Sequence, residues 1–301
     1  MGQLAFFGTY TALVTPFRDD DAKSIDWPAF DALVDAQVDG GVQGIVPCGT
    51  TGESPALSHE EHRLVIERSV ARARGRVQVI PGTGSNSTRE AVELSRAAEK
   101  MGVDAVMVVV PYYNKPTQEG MFRHFVEVAK SVSCPVVIYN IPGRTGVDLA
   151  AETLIRICHE SPNVLATKEA TGNVLRAQKL ACELGPRLAV LSGDDALTLP
   201  MIAVGARGII SVTSNLLPAE VARATRLALD GKMDEARRAH FALAPIHEAM
   251  FIEANPGPIK AALAARGKML NVLRGPMAAV TEQTAKTIAA ALAQFATTER
   301  S

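Results

Sequence analysis

One lysine and a handful of hydroxyls carry the chemistry open to this sequence. Lys168 stands in the stretch Asn163-Val-Leu-Ala-Thr-Lys168-Glu-Ala-Thr-Gly172. Val164-Leu165-Ala166 reads as a buried strand of a parallel sheet and Thr171-Gly172 as the turn after it, so Lys168 falls where the strand gives out. A half-buried ammonium loses hydration, which favours the neutral amine and lowers its pKa. A neutral amine attacks ketones and forms Schiff bases. Taken alone, the segment also accommodates a lysine paired with Glu169, or one on a solvated loop.

The elements that must position this lysine alternate along the chain. Strand-like runs are expected at 9–14, 44–47, 77–81, 105–110, 135–139, 164–166, 187–191 and 209–212, with helical stretches between them. Asp26 is a good N-cap for a helix over 27–39, and Gly40-Gly41 ends it. Ser58-His-Glu-Glu61 and Ser87-Thr-Arg-Glu90 both read as capping boxes, and Pro218 opens the helix after the last strand. Eight alternations in roughly 230 residues predict an α/β chain folded as a (β/α)₈ TIM barrel, with a doubly wound open sheet as the lesser alternative. From Lys232 onward the pattern is helical only, at 232–251, 256–267 and 279–297. The expected division is therefore a catalytic barrel over 1–231 and a C-terminal helical region over 232–301.

In such a barrel the reactive residues belong at the C-terminal ends of strands. Thr50 and Thr51 follow strand two, Tyr112 and Tyr113 follow strand four, and Tyr139 closes strand five. A phenol can shuttle a proton to and from a carbinolamine, and a threonine hydroxyl can relay it. Each residue alone is accounted for by a strand-end hydrogen bond; their coincidence around Lys168 is not.

Bulk properties exclude other classes. The chain has 301 residues, 47% of them hydrophobic, and a formal net charge of −1, which leaves no electrostatic footprint for nucleic acid or membrane. Cys48, Cys134, Cys158 and Cys182 are scattered, which fits a reducing compartment better than a disulfide framework or zinc site. Isolated cysteines of this kind are mostly small buried hydrophobes, the reading adopted for Cys48. The first six residues lack signal-peptide character, and Gly2 without a following Ser or Thr at position six is no myristoylation site. No apolar run approaches the roughly 18 residues of a membrane span. A soluble, cytoplasmic protein is expected.

Five segments, Gly49-Thr-Thr-Gly-Glu-Ser54, Pro111-Tyr-Tyr-Asn-Lys-Pro116, Tyr139-Asn-Ile-Pro-Gly-Arg-Thr-Gly146, Lys168-Glu-Ala-Thr-Gly172 and Ser192-Gly-Asp-Asp195, lie in an order and spacing that resembles the dihydrodipicolinate synthase family. The likeness runs from about Gly8 into the C-terminal helices. It implies a lyase of lysine and diaminopimelate biosynthesis that condenses pyruvate with L-aspartate 4-semialdehyde and needs no metal or organic cofactor. By that resemblance Lys168 forms the imine, while Tyr139, Thr50 and Tyr113 relay protons, Tyr113 reaching into a neighbouring subunit. Thr51 is a pyruvate-carboxylate ligand, and the backbones of Gly193 and Ile210 line the site. Arg144 holds the semialdehyde carboxylate, a task suited to a bidentate guanidinium. A homo-oligomer, as a dimer of dimers, is implied as well. Sugar-acid aldolases of the same superfamily, acting on N-acetylneuraminate or 2-keto-3-deoxygluconate, are the alternative, together with a barrel that only senses pyruvate or lysine.

The resemblance also implies feedback inhibition by lysine. His59 and His62 are three apart on one helix and share a face, without the spacing of a zinc site. With Ser54, Pro55, Asn86, Glu90 and Tyr112 they match an effector site at a dimer interface, Glu90 receiving the lysine ammonium. Pro55 replaces a small alanine common there. The alternative for Glu90 is the capping box with Ser87, and for His59 an ordinary helix start.

Overall fold

A computed structural model describes residues 6–298, so the reading of positions 1–5, Gly2 included, lies outside the described residues. Eight strands, β1 (Gly8–Ala12), β2 (Gly44–Val46), β3 (Gln78–Val79), β4 (Val106–Val109), β5 (Val136–Asn140), β6 (Val164–Glu169), β7 (Ala189–Ser192) and β8 (Gly208–Ser211), form one parallel sheet in the order β3-β2-β1-β8-β7-β6-β5-β4. Its two edges meet. The Met107 N–H donates to the Pro81 carbonyl at 2.9 Å and the Thr83 N–H to the Met107 carbonyl at 2.9 Å, pairing Gly82 with Met107. With both edges paired the sheet is a barrel, as the alternation predicts.

Side chains alternate across each strand, and the alternation sorts the core into two. Tyr10, Ala12, Val46, Met107, Val137, Tyr139, Ala189, Leu191 and Ile210 fill the barrel interior. Ile45, Val106, Val108, Val136, Ile138 and Val190 point outward under the helices.

Those helices are α1 (Trp27–Asp39), α2 (His59–Ala73), α3 (Thr88–Lys100), α4 (Gln118–Ser131), α5 (Pro142–Thr145), α6 (Ala151–Glu160), α7 (Val174–Leu184), α8 (Thr198–Ala203) and α9 (Pro218–Leu229). The Asp26 carboxylate accepts from the Ala29 N–H at 3.3 Å, and the Ser58–Glu61 box closes in both directions at 2.9 and 3.1 Å. The second expected box does not form. Ser87 makes no side-chain cap bond, because Ser85 donates its hydroxyl to Glu90 and accepts the Ser87 N–H at 3.0 Å. A competing hydroxyl, that of Ser85, takes the Glu90 carboxylate in place of the cap.

Three more helices, α10 (Met233–Ala249), α11 (Gly257–Ala265) and α12 (Glu282–Thr298), follow the barrel. Leu243, Ile246, Ile259, Leu263, Ile288 and Phe295 join the hydrophobic cluster that underlies the barrel helices. No described helix is long and apolar enough to cross a membrane.

A buried ion pair ties α11 to the loop after β2. Glu53 sits at φ 53°, a left-handed conformation that costs a non-glycine residue energy unless its surroundings hold it. Both its carboxylate oxygens are committed: one pairs with the fully buried Lys260 ammonium, the other accepts the Arg274 N–H at 3.0 Å. Lys260 also donates to the Val272 carbonyl at 2.9 Å, and its Nζ lies 4.2 Å from the Phe17 ring centroid. Removing one partner of such a pair strands a charge in a dry place. Lys260→Ala should therefore lower unfolding stability by about 3–5 kcal/mol, and the double change Glu53→Gln with Lys260→Met by much less. Urea titrations of the two variants check this, and equal losses would contradict it.

Candidate active site

The placement of Lys168 depends on one irregularity. β5 and β6 pair Val136 with Val164, then skip Leu165 and pair Val137 with Ala166, Ile138 with Thr167 and Tyr139 with Lys168. Val164 faces the helices, while Leu165 and Ala166 both face the barrel interior. The extra residue shifts the parity of every position after it. Lys168 thereby shares the inward side with Tyr139, and its Nζ lies 4.4 Å from the Tyr139 ring centroid.

β6 continues through Glu169, so Lys168 lies within the strand rather than beyond it, and it is only 6% exposed. Pairing with Glu169 is ruled out. Glu169 accepts from Arg176 Nε at 2.8 Å and from the Thr171 N–H at 3.1 Å, on the other side of the strand end. Burial lowers the Lys168 pKa to about 8, with Asp195 pulling it up and Arg144 pushing it down. Burial raises the Tyr139 phenol to about 12, against the pull of Arg144 and of the adjacent Thr50 hydroxyl. The pair is thus a lysine readily made neutral beside a phenol that keeps its proton.

The loop after β2 brings the threonines to this point. The Thr51 hydroxyl accepts from Asn255 Nδ2 at 3.0 Å, and the Asn255 backbone carbonyl accepts from Arg144 Nη2 at 3.2 Å. Arg144 belongs to the short helix α5, where only a loop was expected. Gly193 passes so close to Lys168 that an added Cβ would lie 3.2 Å from Lys168 Cε and 2.6 Å from Ala170 Cβ. Ile210 lies on β8, in register with Tyr10, with its side chain in the barrel interior. Tyr113 stands apart. At φ 72° and 86% exposed, its side chain stands in solvent, and it is not among the residues that line the cavity described below.

A cavity of about 470 Å³ opens from this end of the barrel. Thr50, Tyr139 and Arg144 line it together with Ser54, Pro55, His59, His62, Glu90 and Tyr112. Lys168 is not on its wall; it faces the Tyr139 ring within the barrel. His62 is buried, its Nε2 2.9 Å from the Gly82 carbonyl, and burial lowers its pKa. His59 is exposed, 3.5 Å from Glu90 Oε1. Asn86 is not among the lining residues; its carbonyl accepts from Asn114 Nδ2 at 2.9 Å. Cys48 also borders the cavity, but its thiol is buried and pushed up by that burial, which suits packing.

Three residues at the site had no role assigned from sequence. Asn255 lies in Asn255-Pro-Gly-Pro258, which reads as a spacer between helices, yet it touches both Thr51 and Arg144. Asp195 closes a recognised segment and is buried against β8. Glu53 looked like one more polar loop residue. A buried glutamate flanked by Gly52 and Ser54 has no local signature, because its partner lies 207 residues away.

An ordinary lysine titrates near 10.5, and Lys168 should differ. Reductive methylation with formaldehyde, mapped by peptide mass, should modify Lys168 at a rate that rises through pH about 8. The sign follows from the cause: burial penalises the ammonium, so the reactive amine appears at lower pH. A midpoint like that of the surface lysines would contradict the geometry.

The model of the dihydrodipicolinate synthetase family matches residues 5–295. A 4-hydroxy-tetrahydrodipicolinate synthase of Sorangium cellulosum is 56% identical over 292 residues, 97% of each chain. A crystal structure of the chloride-inhibited dihydrodipicolinate synthase of Acinetobacter baumannii complexed with pyruvate superposes with TM-score 0.94 at 40% identity, covering 97% of this chain and 99% of that one. The enzyme of Cyanidioschyzon merolae, solved with lysine bound, superposes with TM-score 0.94 at 37% identity, covering 97% and 98%.

Proposed function

Because this chain belongs to the dihydrodipicolinate synthetase family, we propose that it condenses pyruvate with L-aspartate 4-semialdehyde to give 4-hydroxy-tetrahydrodipicolinate through a Schiff base on Lys168. The observation that carries this is the inward, buried Lys168 amine, lowered to about 8 and set 4.4 Å from the Tyr139 ring. The neutral amine adds to the pyruvate ketone, takes up a proton and expels water, leaving an iminium. Loss of a methyl proton gives the enamine, whose carbon attacks the semialdehyde carbonyl. The product's own amine then displaces the lysine as the ring closes.

Tyr139 and Thr50 move protons in this scheme. Tyr113, exposed in its own chain, completes the relay in a neighbouring copy, so activity requires a homo-oligomer, and a dimer of dimers fits. Thr51, held by Asn255, takes the pyruvate carboxylate, and the backbones at Gly193 and Ile210 close the pocket around it. Arg144 selects the second substrate: its guanidinium borders the cavity with two-pronged geometry for the semialdehyde carboxylate. That favours the amino-acid route over the sugar-acid aldolases.

Pyruvate consumption by the purified protein should be fast with L-aspartate 4-semialdehyde and negligible with N-acetylmannosamine or glyceraldehyde. Turnover with a sugar aldehyde alone would overturn the substrate assignment. Arg144→Ala should raise the KM for the semialdehyde about ten- to a hundred-fold, the worth of a hydrogen-bonded charge pair, while the pyruvate adduct still forms.

Lysine regulation rests on a second group of residues that line the same cavity. Glu90, freed from its helix cap and beside His59 and Tyr112, offers a carboxylate to an ammonium, and Ser54 and His62 bound the remaining space. Lysine at millimolar concentration should slow turnover, and Glu90→Ala should abolish that effect with the uninhibited rate kept. Unchanged activity in saturating lysine would refute the regulatory reading.

A further inference from the structure

Arg144 is exposed, and among the described residues its guanidinium has one hydrogen bond, from Nη2 to the Asn255 carbonyl at 3.2 Å, and no carboxylate within ion-pair distance. A long side chain held so lightly keeps much of its rotamer freedom, so the backbone that carries it decides where its fork can stand. That backbone is the excursion 141–148, which leaves the sheet at the end of β5 and returns before α6.

Asn140, the last residue of β5, is fully buried. Its backbone is locked into the sheet, in register with Glu169, and its carbonyl accepts the Ala170 N–H at 3.0 Å. Its side chain closes the mouth of the excursion. Nδ2 donates to Asp148 Oδ1 at 2.8 Å, and Oδ1 accepts the Leu149 N–H at 3.2 Å. The orientation of the amide is forced, because a backbone N–H only donates and an ionised carboxylate only accepts. Gln118, at the start of α4, grips the same end from another side: Nε2 donates to the Asp148 carbonyl at 2.8 Å and Oε1 accepts the Ala150 N–H at 3.0 Å. Within the excursion the Arg144 N–H donates to the Ile141 carbonyl at 3.1 Å, and the Thr145 hydroxyl meets the Ile141 and Val147 carbonyls at 2.9 and 3.0 Å. Tyr139 faces the barrel interior, so its neighbour Asn140 faces the opposite side of the strand.

We propose that Asn140 is a positioning residue for substrate specificity: with Asp148 it forms a latch that closes 141–148 and so sets where Arg144 meets the semialdehyde carboxylate. This rests on the reading of Arg144 as the ligand of that carboxylate. The latch touches neither substrate and acts on the second one only. If breaking it leaves the excursion in the competent geometry about one tenth of the time, the apparent affinity for the semialdehyde falls about ten-fold.

The test exchanges the two ends of the latch. Asn140→Asp keeps an acceptor for the Leu149 N–H but sets two carboxylates against each other. The KM for the semialdehyde should rise about ten-fold. The KM for pyruvate and the yield of borohydride-trapped pyruvate adduct on Lys168 should stay at the wild-type level. Adding Asp148→Asn reverses donor and acceptor and should bring the semialdehyde KM back. In an Arg144→Ala background Asn140→Asp should change that KM less than about two-fold, because no guanidinium is left to misplace. A folded Asn140→Asp protein with the wild-type KM would overturn the proposal. So would a ten-fold loss that persists without Arg144, or an equal loss for pyruvate. Should Asn140→Asp not fold, Asp148→Ala breaks the same bond from the exposed side and is judged by the same three readings. An unaltered protein that forms the pyruvate adduct but does not turn over the semialdehyde is a different result, and refutes the substrate assignment on which the latch rests.

Discussion

The site depends on which way one lysine points. A strand offers its side chains alternately to two faces, and in this barrel one face is oil under helices while the other is the barrel interior. Counting from Val164 in regular alternation, Lys168 would face the helices. The unpaired Leu165 reverses the count, and Lys168 enters the interior beside Tyr139. Every property that makes the amine useful follows from that turn. Burial strips water from the ammonium, and the phenol ring provides a weakly attractive face. An inserted residue in a strand therefore decides which face of the sheet Lys168 occupies.

Much of this was legible beforehand, because its causes are local. Asp26 and the Ser58–Glu61 pair cap helices through bonds spanning three residues, and strand runs such as Val136–Ile138 announce themselves by composition. Polar residues at strand ends could be placed on one rim because the barrel puts all such ends together. The misreadings have a common origin in competition or distance. Ser87 and Glu90 have the spacing of a capping box, but Ser85, two positions earlier, takes the carboxylate first. Pro142–Thr145 forms a single helical turn within a stretch whose proline and glycines look like loop. The parity of Lys168 is a property of pairing between β5 and β6 and is invisible in either strand alone.

Substrate positioning extends well beyond the strand ends. Thr51 is oriented by Asn255, and Arg144 is anchored by the carbonyl of the same residue, so one turn after α10 braces the groups assigned to both carboxylates. Beside it, the ion pair of Lys260 and Glu53 holds the threonine loop in a conformation it would not keep alone. Arg274 adds contacts to Glu61 and to the Lys23 carbonyl, gathering the loops after β1 and β2 under the stretch that follows α11. The helical segment after the barrel is thus part of how the catalytic loop is shaped.

That arrangement has a consequence for how the protein is made. A ribosome delivers Thr50 and Thr51 some two hundred residues before it delivers Asn255, Lys260 and Arg274. All eight strands can be outside the exit tunnel while Glu53 still lacks its cation and Thr51 its donor. A nascent chain at that stage holds the Glu53 carboxylate without its cation at the mouth of the barrel and so has reason to stay open there. Translation of the α11 segment, rather than of the last strand, is the step that gives Glu53 its buried cation.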